Sequence, residues 1–172
     1  ELSVQLKDGG KALIEVTDNG HGISADDLPL ALARHATSKI RSMEDLERLG
    51  TLGFRGEALA SIGAVSRLEV LSRTQSASAA YQVMLDHSTQ EISNPRPEPS
   101  TFGHFLGSQH GTRIRCEGLF SQIPARLKFL KSPGAELSAV REWMERLALA
   151  HPGVGFKLVS DDRTVEIGRA HV

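Results

Sequence analysis

Cysteine occurs once in the 172 residues, as Cys116, so no disulfide can form within the chain and the fold must hold by packing. A single free thiol also suits a reducing compartment. Tryptophan and tyrosine occur once each, and aromatic residues make up 5% of the chain. Surfaces that hold single-stranded nucleic acid by base stacking are built from such residues, so that class has little support. Neither sign of charge dominates: 20 Lys and Arg stand against 21 Asp and Glu, a formal net charge of -1. No global positive field marks a nucleic-acid binder, although a local basic patch can form on a neutral domain. No apolar run is long enough to cross a bilayer and no signal-peptide pattern opens the chain. The expectation is a soluble intracellular protein with no membrane partner. The seven histidines show no ligand spacing with cysteine or acids, so no zinc site is expected.

What is present is the composition of an ordinary globular protein, 40% hydrophobic and 24% charged, long enough for one sizeable core. Leu2, Val4 and Leu6 alternate with polar neighbours, as in a half-buried strand. Because that strand pattern starts at once and no methionine precedes it, the chain reads as part of something longer. Asp8-Gly9-Gly10 supplies a turn into a second strand at 12–17. Ser24 and Asp27 resemble a capping box opening a helix to about residue 34, and Ser42 with Asp45 repeats the device for a short helix ending near Gly50. Residues 57–65 read as a helix with Leu59, Ile62 and Val65 on one face, and residues 67–73 and 80–86 read as paired strands. Pro95, Pro97 and Pro99 with several Gly and Ser residues make 87–110 a long surface loop. A strand follows at 112–116. Residues 135–150 carry the clearest helix, with Leu137, Val140, Met144 and Leu147 at 3-4-3 spacing and Trp143 as a packing residue. A hairpin at 154–159 and 164–167, turned by Asp161-Asp162, ends the chain. The sum is an α+β two-layer sandwich, a mostly antiparallel sheet with helices on one face.

Four segments can carry chemistry. Asp18-Asn19-Gly20-His21-Gly22 follows a strand directly, and a carboxylate at a strand end can accept from the exocyclic amine of adenine while glycines let backbone approach a flat base. Taken alone it reads as a turn, since Asp, Asn and Gly are turn residues. It is no dinucleotide fingerprint, because Ala25 stands at the third glycine position; Gly9-Gly10-Lys11 likewise lacks the rest of a P-loop. Gly50, Gly53 and Gly56, with Arg55 among them, precede a helix start whose amides suit phosphates and whose glycines suit a lid; a flexible loop fits equally well. Ala36-Thr37-Ser38-Lys39 offers hydroxyls and a point charge to a phosphate, or a solvated lysine. In His110-Gly111-Thr112 the threonine hydroxyl can reach a base or a bridging water, though Gly-Thr at a strand start is common. Arg126, Lys128 and Lys131 form a basic cluster, read first as solvated surface and second as a weak DNA patch.

It is the ordered combination that is specific. Asp18-x-Gly20-x-Gly22, then Ala36-Thr37-Ser38-Lys39, then Gly53-Phe54-Arg55-Gly56-Glu57-Ala58-Leu59-Ala60-Ser61-Ile62, then Gly111-Thr112 resembles the ATP site of the MutL family of DNA mismatch repair proteins. That family shares a superfamily with the ATP-binding domains of gyrase, heat-shock chaperones and histidine kinases. The run from Leu32 to Ile40 and the segment Pro124-Ala125-Arg126-Leu127-Lys128-Phe129-Leu130 are similar to MutL as well. The resemblance covers nearly the whole chain and discriminates against the kinase and topoisomerase relatives.

The resemblance implies a GHKL (Bergerat-type) fold lacking its first helix, with residues 1–172 forming an N-terminal ATP-binding domain incomplete at its own N-terminus. A downstream subdomain and a C-terminal dimerisation domain are then expected beyond it. By the same resemblance Asp18 reads adenine with Asn19 beside it, Gly20 and Gly22 flank the base, and Thr112 supports recognition through water. Ser38 and Lys39 line the pocket, and Gly53, Phe54, Arg55, Gly56, Glu57, Ala58 and Leu59 form the lid and helix start around the triphosphate. Glu57 is read as structural, an acid near a helix N-terminus. The family's general-base glutamate and its magnesium-holding asparagine belong to a helix expected upstream of Glu1, so no catalytic or metal residue is assigned. The cofactors implied are ATP and Mg²⁺; the intact protein is expected to hydrolyse ATP and the segment given is not. One departure is Gln122, where the family has asparagine. The partners implied are a MutS-type mismatch recognition protein, DNA held weakly and mainly by other regions, and a second MutL-family subunit, in a homodimer or heterodimer. The location implied is cytoplasmic and nucleoid-associated in a bacterium, nuclear in a eukaryote. The rival is a non-hydrolysing nucleotide-binding or interaction module with a vestigial site; a plain DNA-binding domain is the weakest reading.

Overall fold

The computed structural model describes residues 1–33, 57–99, 105–165 and 167. The expected short helix at 42–50, Ser38, Lys39 and the lid residues Gly53, Phe54, Arg55 and Gly56 lie outside the described residues.

Alternation of polar and apolar residues builds the strands, and the described ones form one sheet. They are β1 (Leu2–Lys7), β2 (Leu13–Asp18), β3 (Arg67–Arg73), β4 (Ala80–Leu85), β5 (Arg96–Glu98), β6 (Gly111–Glu117), β7 (Phe156–Ser160) and β8 (Arg163–Val165). Their spatial order is β5-β4-β3-β6-β2-β1-β7-β8, with β1 and β7 parallel and every other pair antiparallel. A one-residue slip would turn each apolar row to the wrong face, so the rows fix the register. Leu68 and Val70 of β3, Val83 and Leu85 of β4 and Cys116 of β6 are buried with Leu28 and Leu32, and Ile14 of β2 packs beside them. Val4 and Leu6 of β1 and Leu158 of β7 are buried with Met144, and Ile14 and Val16 join this cluster too. Ile14 thus links both halves of one continuous apolar face. Burying a side chain of this size contributes about 1.5–3 kcal/mol.

Three helices cover that face, α1 (Leu28–Leu32), α2 (Ala58–Gly63) and α4 (Pro133–Ala150); the short α3 (Pro124–Leu127) buries none of its residues, and a 3-10 turn at Asp8–Gly10 joins β1 to β2. The Ser24–Asp27 pair forms, the Asp27 amide donating to the Ser24 hydroxyl at 3.2 Å and that hydroxyl to the Asp27 carboxylate at 2.7 Å. The helix it opens is shorter than expected. It ends at Leu32 because Ala33 is extended. The expected inner face of α2 also needs correction. Ala60 and Gly63 are buried and Leu59 packs on the core, whereas Ile62 is exposed. The helix lies so close to β4 that a methyl group on Gly63 would sit 2.2 Å from Leu85 Cδ2, so any side chain there must push Leu85 aside.

The long helix α4 begins two residues earlier than expected, at Pro133. The Ala135 amide, one of the donors that a helix start leaves open, donates to the Ser132 hydroxyl, and Glu136 reaches back to accept from the Lys131 amide just ahead of that cap at 2.7 Å. Met144 is its buried residue, with Leu137 and Val140 beside it; Leu147 is exposed. Trp143 is not a packing residue: it is 63% exposed, with the Arg146 guanidinium 5.3 Å above its ring.

The other sheet face carries charge. Arg115 lies 3.0 Å from Glu117 and 4.0 Å from Glu15, and Arg67 lies 3.9 Å from Glu117. At one end Leu71 and Ala80 are buried there under Phe105. The segment 87–110 is therefore not structureless: it supplies the edge strand β5, whose Pro97 pairs with Tyr81, and brings Phe105 over the sheet.

Candidate nucleotide-binding site

Strand parity brings the site together. Asp18 pairs with Thr112, Thr112 with Ser72, and Ser72 with Tyr81, a row across β2, β6, β3 and β4. Alternation along each strand puts Asp18 with Ile14 and Val16, Thr112 with Ile114 and Cys116, and Ser72 with Leu68 and Val70. The row therefore stands at one end of the helix-covered face, polar where the rest of that face is apolar. Two sequence candidates, Asp18 and Thr112, are thus direct cross-strand neighbours.

The turn after β2 folds back on this row. The Gly20 amide donates to Asp18 Oδ1 at 2.8 Å, holding the carboxylate at the strand end. The Ile23 amide donates to Ser72 Oγ at 2.7 Å, which pins the turn to β3. Between them Gly22 has φ +75°, and a methyl group there would lie 2.1 Å from the Arg73 carbonyl oxygen. No L side chain fits that approach. The entry to β6 is as tight: Gly111 has φ +145°, and a Cβ would stand 2.1 Å from the Asp18 carbonyl oxygen. His110 Nδ1 lies 2.6 Å from the Gly20 carbonyl oxygen, tying the start of β6 to the same turn.

Ser72 was not among the sequence candidates. It is fully buried, and besides accepting from Ile23 it meets the Gly111 carbonyl at 2.8 Å and the Thr112 hydroxyl at 2.9 Å. Its signal was a lone hydroxyl in an otherwise apolar row, Leu68, Val70, Ser72. Thr112 is 7% exposed and Asp18 half-buried, so the carboxylate is the part of the row that a ligand meets first.

The remaining candidates divide. Asn19 lies off the row, on the opposite parity, with its amide 3.4 Å from the Glu1 carbonyl. Glu57 is the N-cap of α2, Ala58 is exposed on its first turn, and Leu59 packs into the core with Leu28 and Leu32. Arg126, Lys128 and Lys131 are exposed, as expected for solvated surface. Among the described residues no group of three His, Cys, Asp or Glu side chains is placed to hold a metal ion. Among them, too, no helix is long and apolar enough to cross a membrane.

A carboxylate at a strand end, flanked by glycine turns and backed by buried hydroxyls under a helical layer, defines a class of protein. The sequence profile described as "Histidine kinase-, DNA gyrase B-, and HSP90-like ATPase" matches residues 1–112, and the chain belongs to that family.

Within the family the similarity is to MutL. The chain is 47% identical over 163 residues to the DNA mismatch repair protein MutL of Azorhizobium caulinodans, and 49% identical over 164 residues to that of Pseudomonas putida strain GB-1. Each match takes in 95% of this chain and 24% of the relative, so the chain spans about a quarter of the length of these proteins. The Aquifex aeolicus MutL ATPase domain complexed with ADP superposes with a TM-score of 0.66 at 26% identity, over 99% of this chain and 56% of that one. The N-terminal domain of a DNA repair protein gives 0.68 at 26% identity, over 95% and 46%. The α+β sandwich expected from the sequence is thus the fold of this ATPase superfamily, and the MutL resemblance, expected over nearly the whole chain, holds over 95% of it.

Proposed function

We propose that this chain is the ATP-binding part of a MutL-type mismatch repair ATPase, with adenine held at Asp18. The observation that carries the reading is the Asp18–Thr112 pair, set side by side at one end of the helix-covered face with the Gly20–Ile23 turn fastened to it. A carboxylate is an acceptor only, so it selects the amino edge of a base, and a buried acceptor left without a donor disfavours the wrong one. The relative bound to ADP supports a nucleotide at this fold. A titration of the full chain with a non-hydrolysable ATP analogue and Mg²⁺ is expected to saturate at one nucleotide per chain. A folded chain that takes up none contradicts the reading.

The finer mechanism rests on the sequence motifs. ATP orders the lid at Gly53, Phe54, Arg55 and Gly56 against the helix start at Glu57, Ala58 and Leu59, with Ser38 and Lys39 on the phosphate side. The ordered lid then makes a surface on which two MutL-type subunits pair, and hydrolysis by the whole protein releases them. Magnesium would supply charge neutralisation for the phosphates, its ligand lying elsewhere than the described residues. The cycle would couple a MutS-type partner and mismatched DNA to later repair steps in the cytoplasm. Gly56→Val is expected to weaken analogue binding by about tenfold, a loss of about 1.4 kcal/mol. Unchanged affinity in calorimetry would remove the lid from the account.

A further inference from the structure

We propose that Ser72 is a positioning residue for base selectivity: it turns the hydroxyl hydrogen of Thr112 away from the ligand, so that Thr112 meets the base or its water as an acceptor. This rests on the reading that adenine is held at Asp18.

The assignment follows from counting hydrogens. A serine hydroxyl has one hydrogen to give and two lone pairs to fill. Ser72 Oγ has three polar neighbours: the Ile23 amide nitrogen at 2.7 Å, the Gly111 carbonyl oxygen at 2.8 Å and Thr112 Oγ1 at 2.9 Å. The Ile23 amide can only donate, and takes one lone pair. The Gly111 carbonyl can only accept, and takes the Ser72 hydrogen. What is left at Ser72 is a lone pair, and the one hydrogen available to fill it is that of Thr112. All four groups are then satisfied, as burial demands of Ser72 at 0% and Thr112 at 7% exposure. The alternative, with Ser72 donating to Thr112, leaves the buried 2.8 Å contact between Ser72 Oγ and the Gly111 carbonyl without a hydrogen, acceptor against acceptor.

With its hydrogen committed to Ser72, Thr112 keeps its lone pairs. Its cross-strand neighbour Asp18 also only accepts while ionised. The row therefore presents two acceptors side by side, which fits an amino group and a water that donates to both threonine and ring nitrogen. A purine with a carbonyl at that position puts acceptor against acceptor. Ser72 touches no ligand in this scheme; it acts through Thr112.

The test compares the affinities of the full chain for ATP and for inosine triphosphate, which carries a carbonyl where ATP carries the amine. Four proteins are titrated by calorimetry: wild type, Ser72→Ala, Thr112→Val and the double variant, with folding checked by circular dichroism. The ratio of the two affinities is expected to fall about tenfold in Ser72→Ala, whose freed Thr112 hydroxyl can donate to a carbonyl. In the Thr112→Val background Ser72→Ala is expected to change the ratio no further. Should Ser72→Ala not fold, Thr112→Ser decides: the serine keeps a hydroxyl for Ser72 to direct and is expected to retain the wild-type ratio. A wild-type ratio in folded Ser72→Ala, an additional fall in the double variant, or a ratio in Thr112→Ser as low as in Thr112→Val overturns the proposal while leaving ATP binding intact. A wild type that binds neither nucleotide overturns the nucleotide-site reading itself, and this proposal with it.

Discussion

Gly22 has little freedom to change. A Cβ there meets the Arg73 carbonyl at 2.1 Å, and its φ of +75° is strained for any L side chain. Gly22→Ala must move the turn off β3 or distort both, and it is expected to cost about 2 kcal/mol or more in urea unfolding. A loss below 0.5 kcal/mol, on the order of an ordinary surface substitution, would mean that the turn does not pack as described. Asp18, Gly20, Gly22 and Thr112 could be singled out in the sequence because their short motifs, each ordinary alone, follow one another in a fixed order; that Asp18 and Thr112 stand side by side is added by the strand register. Ser72 could not be singled out, because a serine in a strand gives no local sign of its neighbours. Only the register of β2, β6 and β3 shows that it shares a row with Asp18 and Thr112. Trp143 misled for a related reason: helical spacing marks which residues share a face, but not how far the covered face extends.

At the scale of elements, the turn after β4 has a chemistry of its own. The Asp86 carboxylate is held well below its ordinary value of 3.8, to about 2, first by the Ser88 hydroxyl and then by the amides of Thr89 and Ser88. A carboxylate whose folded-state value is depressed stabilises the fold above its unfolded value of 3.8, and that contribution drains away as pH falls toward 2. An NMR titration of Asp86 should find its midpoint near 2, and Ser88→Ala should move it back toward 3.8. A midpoint already ordinary in the wild type would contradict the hydrogen bonds described. The strands with clear alternation, β1, β2, β3, β4 and β6, were legible to within a residue or two. The three-residue edge strand β5, with proline at its centre, was not, since so short a segment carries no periodic signal. The parallel pairing of β1 with β7 was equally hidden, because periodicity names a strand's faces and not its partners.

Across the whole molecule one apolar face joins the halves of the sheet, and Cys116 lies within it, 5% exposed, on β6 four residues from Thr112. Burial pushes its thiol above the usual range, so the reactive thiolate is suppressed twice, by access and by ionisation. Iodoacetamide is expected to leave Cys116 unmodified in native buffer and to alkylate it fully in denaturant. Rapid labelling of the native chain would show that the sheet and its helical cover open locally at β6. That same frame holds Asp18 at the end of β2, and the account as a whole depends on what Asp18 binds.

The most direct measurement is a calorimetric titration of the full chain with an ATP analogue and Mg²⁺, paired with Asp18→Asn. The asparagine replaces a charged acceptor with an amide of nearly equal size and keeps an oxygen for the Gly20 amide. The account predicts saturable binding by the wild type and a loss of about tenfold to a hundredfold in the variant, as for a charge-assisted hydrogen bond. Equal affinity in the two proteins would contradict it, because the nucleotide would then be held somewhere other than Asp18.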